Sequence, residues 1–349
     1  MNPDSPSNDE RPDGTLQARL GRAPHALVTG ATGFAGGQLC RHLRAAGYEV
    51  TALVRPKRDT AALGELGVHI AVGELGDPES LRRAMAGIDV VYHIAAAFRE
   101  ANLPDEAFFK VNVQGAENLI RAAAASGVRR FVHCSTIGVH GDTGRTPATE
   151  ESPFKAPDVY CQSKIDGELR ARALFDELGL EGVVFRPMGI YGPGDTRFLK
   201  LFRAISHRRF LMIGSGDVYY QLTHIDDLCR GIMLCGEHPA AAGEVFILAG
   251  DHHTTLTELV ECIAQSLGVK LLPFHIPMAP VMAMARICDA VCRPLGLNPP
   301  LYPRRVEFFS KDRAASIAKA QRILGYRPQV SLQAGIAATA DWYRVHGWL

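Results

Sequence analysis

Three glycines at three-residue intervals, Gly30, Gly33 and Gly36, follow the apolar run Ala26-Leu27-Val28 and open a helical pattern. A strand that ends in such a ladder and passes straight into a helix has few ways to fold. Gly30 permits a tight turn off the strand, Gly33 lets the backbone approach a pyrophosphate, and Gly36 lets the following helix pack close to the sheet. The N–H groups of the first helical turn are then left facing the phosphates. Thr32, Phe34 and Ala35, which lie within the turn and the start of the helix, join the three glycines as candidate dinucleotide contacts. The spacing is G-x-x-G-x-x-G and not the commoner G-x-G-x-x-G; its place between a strand and a helix is what gives it weight.

The rest of the chain carries that pattern forward. His25 to Thr29, Glu49 to Val54, Val68 to Val72, Val90 to Ile94, Phe131 to Ser135 and Val183 to Arg186 read as buried parallel strands, each a nearly unbroken apolar run. Helical patterns lie between them, such as Gly37 to Ala46 and Val113 to Ala125, each stopped by a glycine close behind. This alternation predicts an α/β fold, a Rossmann doubly wound parallel sheet with a smaller C-terminal α/β substrate lobe. The expected division is a disordered tail over 1–22, a dinucleotide-binding domain over 23–186, and a substrate lobe over 187–349 with segments returning to the sheet. The tail is rich in Pro, Asp, Ser and Arg and has no hydrophobic run, so it reads as neither a signal peptide nor a membrane span. With 38 basic residues against 37 acidic ones, nothing in the charge calls for nucleic acid or an anionic membrane as partner. The eight cysteines form no C-x-x-C pair and sit mostly in apolar runs, which suits a reducing cytoplasm.

The end of the second strand bears on the choice of dinucleotide. An NAD site usually places a carboxylate there for the ribose 2′-hydroxyl, whereas this chain has Leu53-Val54-Arg55-Pro56-Lys57-Arg58. Arg55, with Lys57 or Arg58, would attract a 2′-phosphate, so the expectation is NADP, with NAD open; a solvated basic loop is the plain alternative. After the third strand Glu74 is placed to accept from the adenine amino group, with Leu75 beside it, and Asp77 reads as the cap of a helix starting at Pro78.

Thr136, Tyr160 and Lys164 form the candidate catalytic set. Tyr160 and Lys164, four residues apart on one helix, share a face, and an ammonium held near a phenol stabilises the phenolate. That brings a tyrosine from a pKa of about 10 toward the range of a general acid/base. The Thr136 hydroxyl, at the end of the fifth strand, can hold a substrate oxygen. Y-x-x-x-K alone is common on surface helices; its specificity comes from following Cys134-Ser135-Thr136 by some two dozen residues.

These motifs together resemble the extended short-chain dehydrogenase/reductases, the NAD-dependent epimerase/dehydratase superfamily, from Ala26 onward. The resemblance is carried by Thr29 to Gly36, His93 to Ala97, Asn112-Val113-x-Gly115, Ser135 to Gly141, Tyr160 to Lys164, Arg186 to Gly194 and His224 to Leu228. It implies that Thr136 is the reacting hydroxyl position and Ser135 its support, and that Lys164 also binds the nicotinamide ribose. Pro187 would border the nicotinamide, and Ala95 and Ala96 would line the cofactor. It also implies a homodimer through the Val113 to Ala125 and Tyr160 to Leu178 helices.

Within the superfamily, sugar-nucleotide enzymes usually carry an Asn where this chain has Gly189, and an Arg where it has Tyr220. The Val54-Arg55-Pro56 segment, the Arg186 to Asp195 run and the apolar stretch Ile276 to Leu297 are more similar to 3β-hydroxysteroid dehydrogenase-like and dihydroflavonol reductase-like members. The expected function is therefore hydride transfer between a nicotinamide and a small-molecule secondary alcohol or ketone. A nucleotide-sugar 4-epimerase/dehydratase using bound NAD is the alternative, and a non-catalytic NADP-sensing module a further one. Arg197 and Arg203 stand near enough in sequence to serve a phosphate by another geometry.

Other features take plainer readings. His252-His253 precedes the capping box Thr255-x-x-Glu258, so the pair belongs to a turn and no metal is expected. Asp226-Asp227 reads as a helix N-cap with a neighbouring structural contact. His140 borders the substrate or fills space. Met282, Met284, Ile287, Val291 and Leu295 at helical spacing read as core or pocket wall and not as a membrane anchor. Phe198, Phe202, Tyr219 and Tyr220 are expected around the substrate pocket.

Overall fold

A computed structural model describes residues 15–98, 104–292, 297 and 299–349. The first half alternates α1 (Leu16–Leu20), β1 (His25–Thr29), α2 (Phe34–Ala45), β2 (Glu49–Val54), α3 (Ala61–Glu65), β3 (His69–Val72), α4 (Pro78–Ala84) and β4 (Val90–His93). Next come α5 (Asp105–Phe109), a π-helical segment Lys110–Gly115, α6 (Ala116–Ala125), β5 (Arg130–Cys134), a 3₁₀ turn Ile137–His140, α7 (Val159–Leu178) and β6 (Glu181–Pro187). Beyond Pro187 lie β7 (Gly189–Tyr191), α8 (Leu199–Ser206), β8 (Met212–Ile213), β9 (Tyr219–Tyr220), β10 (Leu222–His224), α9 (Ile225–Glu237) and β11 (Val245–Leu248). The chain continues through β12 (Thr254–Thr255), α10 (Leu256–Leu267), β13 (His275–Ile276), α11 (Met278–Cys292), α12 (Pro303–Val306), α13 (Ala318–Leu324) and α14 (Leu332–Val345).

Seven strands form one parallel sheet in the order β11-β6-β5-β4-β1-β2-β3, the doubly wound arrangement that the alternating runs predict. Successive side chains of a strand point to opposite faces. Val28, Tyr92 and Val132 therefore pack on one side with Leu39 of α2 and Ile232 of α9. Leu27, Val91 and Phe131 pack on the other with Leu119 of α6 and Leu174 of α7. The expectation of a buried strand does not hold for β3, one of the two edges of the sheet: Ile70 and Val72 are exposed.

Asp77 caps α4 ahead of Pro78, and Thr255 with Glu258 closes a capping box on α10, both as the sequence predicts. The tail needs correction from Thr15 onward. Thr15 caps α1, Leu16 is buried against the sheet layer, and Arg19 pairs with Glu181 at 2.9 Å. Leu16, with Leu20 beside it, and two cations, Arg19 and the Arg22 that pairs with Asp89 at 2.8 Å, tie down a segment whose composition alone reads as disordered; residues 1–14 lie outside the described residues. Among the described residues no helix is long and apolar enough to cross a membrane.

A third cluster, built from α8, α10 and α14 with Tyr191 and Leu222, is the core of the C-terminal part. Phe202 belongs to it, fully buried and edge-on to Tyr343 at 5.1 Å, so it is core and not pocket wall. On α11 the expectation holds for Met282, which packs against Val281 and Ala285, and fails in the other direction for its neighbours. Val281 and Ala285 are buried, but Met284, Ile287 and Val291 of the same helix are exposed, and Leu295 lies outside the described residues. Asp226 and Asp227 do not cap α9, since the His224 imidazole accepts from the Asp226 N–H at that position. Asp227 instead lies fully buried in the first turn, accepts from the Gln329 and Val330 N–H groups, and pairs with Arg230.

Candidate active site

The glycine ladder occupies the carboxyl end of β1, next to the carboxyl end of β4, where open α/β sheets place their ligands. Gly30 has a left-handed φ of 73°, and a Cβ there would stand 2.8 Å from the Ala95 nitrogen. A Cβ on Gly36 would stand 2.2 Å from the Gly30 carbonyl oxygen, so only glycine lets α2 approach the turn this closely. Gly33 is the N-cap of α2 and offers no side-chain cap, which leaves the first-turn N–H groups open to an anion. A cradle that a Cβ would fill, next to an uncapped helix start, fits a dinucleotide pyrophosphate. Thr32 is exposed at its lip, and Phe34 and Ala35 are half-buried in the first turn. The Arg197 guanidinium lies over the Phe34 ring at 5.6 Å.

The neighbouring strand ends are braced by hydrogen bonds. Thr29 Oγ1 accepts from the Ala95 N–H at 3.1 Å and bonds His93 Nδ1 at 2.8 Å. Asn112 Oδ1 accepts from the Ala97 N–H at 2.8 Å, while its Nδ2 donates to the Ala97 carbonyl and to Ser163 Oγ. The half-buried Ala95-Ala96 segment is thus pinned on both sides. The Leu75 carbonyl accepts from Asn118 Nδ2 at 2.9 Å, and the N–H of the exposed Glu74 donates to Ser80 Oγ at 3.2 Å. Arg55, Lys57 and Arg58 are all exposed beyond β2. Pro187, the last residue of β6, is buried in register with Leu248 of β11.

Tyr160 stands in the first turn of α7, which Asp158 caps by accepting from the Cys161 N–H at 2.8 Å. Its ring is buried, with Phe98 edge-on at 5.1 Å and Phe108 at 6.5 Å. One turn further on, the buried Lys164 donates from Nζ to the Cys134 carbonyl at 2.5 Å. That carbonyl ends β5, two residues before Thr136. Thr136 Oγ1 accepts from the Gly138 N–H at 3.2 Å and so caps the 3₁₀ turn, which leaves its own proton available to another acceptor. Lys164 is therefore tied to the strand end that Thr136 follows, and Tyr160 stands one turn before it on the same helix.

Burial pulls the Lys164 ammonium below its usual range. His93 and His133 on the same side of the sheet are buried, with rings 5.4 Å apart. Burial, and then the nearby Lys164 charge, push His93 down to about 3 and His133 well below its usual value. Both are neutral at ordinary pH, and they add no competing charge beneath the lysine.

Asn112, Ser163, Glu168 and Arg186 are missing from the set read off the sequence. Asn112 and Arg186 were visible only as motif members without a role. The repeat Tyr160, Lys164, Glu168 at four-residue spacing was the available signal for the third. The cations considered for a phosphate are engaged elsewhere: Arg197 bonds Asp195 and the Ile190 carbonyl, and Arg203 the Trp348 carbonyl. His252 pairs with Asp251, and His253 packs on Tyr219.

Residues 26–249 match the NAD dependent epimerase/dehydratase family. Among curated proteins the chain is 31% identical to a 4-hydroxy-2-methyl-3-oxo-4-farnesyl-3,4-dihydroquinoline-1-oxide ketoreductase of Stigmatella aurantiaca, over 89% of this chain and 94% of the other. It is 30% identical to a 3-beta-hydroxysteroid dehydrogenase of Mycolicibacterium neoaurum, over 95% and 93%. Among solved structures it is similar to gox2253, with TM-score 0.79 and 28% identity over 93% of this chain and 99% of that one. It is also similar to the dTDP-glucose 4,6-dehydratase DesIV from Streptomyces venezuelae, solved with NAD bound, with TM-score 0.73 and 28% identity over 93% and 98%. The parallel sheet, its glycine cradle and these likenesses agree, and the chain belongs to the NAD-dependent epimerase/dehydratase family, whose NAD(P)-binding fold supports hydride transfer.

Proposed function

We propose that the protein is an NAD(P)-dependent oxidoreductase that interconverts a ketone and a secondary alcohol on a largely apolar small molecule. The observation that carries this reading is the Lys164 bond to the Cys134 carbonyl, which brings the Tyr160 helix and the Thr136 strand end to one place. The nicotinamide, when bound, supplies or accepts the hydride. Tyr160 gives the substrate oxygen its proton in reduction and takes it back in oxidation, and Lys164 favours the phenolate form. Thr136, which accepts from the Gly138 N–H and keeps its own proton to give, donates to the same oxygen and orients it. Gly30, Gly33 and Gly36 hold the pyrophosphate, with Thr32, Phe34, Ala35, Leu75, Ala95, Ala96 and Pro187 around the rest of the cofactor and Glu74 near the adenine. Arg55 favours the 2′-phosphate of NADP over the bare ribose of NAD.

The engaged arginines support that substrate class. A diphosphate needs cationic partners, yet Arg197 is held by Asp195, and Arg313 by the carbonyls of Glu307, Phe308 and Lys311. The ketoreductase and hydroxysteroid dehydrogenase relatives support an apolar carbonyl substrate.

The family name and the likeness to DesIV favour a second reading, a nucleotide-sugar epimerase or dehydratase that keeps NAD bound. One experiment separates the two: NADPH and NADH binding by fluorescence, then nicotinamide absorbance with panels of hydroxysteroids, flavanonols, long-chain β-ketones and UDP- or dTDP-sugars. Net consumption of NADPH with a ketone supports the first reading. Conversion of a sugar nucleotide with no net change in absorbance establishes the second.

A further inference from the structure

The strand that leads to Pro187 carries a guanidinium with an unusual set of partners. Arg186 is almost wholly buried. Its Nε and Nη2 donate to the two carboxylate oxygens of Glu168 at 3.0 and 2.5 Å, a bidentate pair sealed from solvent. Its Nη1 donates to the Glu150 carbonyl at 2.9 Å and to His140 Nε2 at 3.0 Å. The guanidinium also lies over the Phe154 ring at 5.1 Å, and His140 stacks on the same ring.

The imidazole can have only one tautomer here. Arginine donates and never accepts, so His140 Nε2 must offer a lone pair; His140 Nδ1 therefore carries the proton and donates to the Pro153 carbonyl at 3.2 Å. Burial, with the Arg186 charge as a lesser contribution, lowers the histidine's basicity and keeps it in that neutral form.

The place of each partner gives the cluster its meaning. Glu168 lies on α7 one turn after Lys164 and two turns after Tyr160. His140 closes the 3₁₀ turn that Thr136 caps. Arg186 directly precedes Pro187, and Glu150 Oε1 accepts from the Ile247 N–H of β11 at 2.8 Å. A single cation therefore joins the helix of the acid/base pair, the turn of the substrate-oxygen donor, and two strands of the sheet. A buried ion pair is not by itself evidence of stability, since desolvation offsets much of its attraction. Its location between the two halves of the reacting set indicates a geometric duty.

We propose that Glu168, Arg186 and His140 form a positioning unit that holds Tyr160 and Lys164 in register with Thr136, a role that rests on the oxidoreductase reading above. The three touch no reacting atom; they act through the residues that do. Misplacement of a reacting group by about 1 Å costs on the order of a hundredfold in rate, so even slight slackening of this unit is measurable.

Three variants test it, each saturated with NADPH. His140→Phe keeps the ring volume but removes the acceptor for Arg186. His140→Gln restores both an acceptor for Arg186 and a donor for Pro153. Glu168→Gln keeps the shape and removes the charge. The Tyr160 titration is followed by ¹³Cζ-tyrosine NMR, with the resonance assigned by Tyr160→Phe. Among the described residues, the titratable groups that interact with Lys164 are Glu168 on α7, the neutral His93 and His133 from β4 and β5, and the Cys134 thiol. In Glu168→Gln the Arg186 charge stands uncompensated, so Tyr160 should titrate about half a pH unit lower. His140→Phe should displace the Tyr160 titration and lower kcat for a ketone from the panel about tenfold, with KM for NADPH within about twofold. His140→Gln should restore both toward the parent values. A Tyr160 titration identical in all folded variants overturns the proposal, as does a His140→Gln protein as impaired as His140→Phe. Should Glu168→Gln not fold, the two His140 variants decide alone, since neither removes a charge. Should the parent protein turn over no ketone, the oxidoreductase reading falls while the NMR titration still tests the positioning.

Discussion

In the sheet, every residue of the central strand β4 is buried, and helices from both faces interlock with alternate side chains. Beyond Pro187 the strands outside the sheet are two or three residues long and pair only in twos, and α11 leaves Met284, Ile287 and Val291 in solvent. The two regions answer to different constraints. A central parallel strand has a neighbour on each side and a layer on each face, so its composition is fixed almost residue by residue. A two-residue ribbon is held by its surroundings, and its sequence is correspondingly free. The proposed cofactor cradle and acid/base set sit on the first kind of scaffold, and the second kind is the freer of the two to vary.

This contrast can be attacked at several points. The largest effect is expected at the chemical centre. Tyr160→Phe should lower turnover by about a hundredfold to ten-thousandfold, with NADPH affinity by fluorescence titration unchanged. Equal loss of binding and turnover would show that the tyrosine shapes the cradle instead. Next comes Gly36→Ala, whose Cβ would overlap the Gly30 carbonyl at 2.2 Å. Forced displacement of this packed backbone should cost about 1–3 kcal/mol in denaturant unfolding and weaken dinucleotide binding. Full retention of both would mean that α2 can slide, against the rigidity ascribed to the sheet region.

A smaller change is expected at the rim. Arg55→Asp removes the cation offered to a 2′-phosphate, and charged hydrogen bonds of that kind contribute about 1.5–3 kcal/mol. NADPH affinity should fall about tenfold or more while NADH affinity holds; parallel loss of both would leave Arg55 as general surface charge. The smallest effect belongs to the lobe. Ile287→Ser replaces an apolar side chain that is 65% exposed, so stability should change by no more than about 0.5 kcal/mol. A large loss in a chemical melt would reveal that α11 is covered in solution.

What could be read in the sequence follows the same line. The runs at His25 and Glu49 end where β1 and β2 end, because strands with a neighbour on each side leave a sharp apolar signature. The placement of Tyr160 and Lys164 on one helix and of Thr136 just past a strand end was legible, because spacing encodes both. Asn112 was not, because its two-way bond to the Ala97 backbone and its contact with Ser163 join residues 15 and 51 positions away. His224 took the cap expected of the aspartates, since an imidazole nitrogen can accept from an N–H as a carboxylate does, and Asp227 was drawn inward by two backbone donors near α14. The exposed face of α11 shows the converse problem: helical spacing of apolar residues reveals a face but not what lies against it.

The pairing of β6 with β11 sets a condition on synthesis. Some sixty residues of lobe separate the two strands, so at a translation rate of about 5–20 residues per second β6 waits roughly 3–12 s for its outer neighbour to emerge. During that interval Val183 to Arg186 present an apolar strand with an open hydrogen-bonding edge, the kind of surface on which nascent chains stick to one another. Expression yield at high ribosome density, and its response to slower growth or added chaperone capacity, is thus a property of where the last strand lies in the gene.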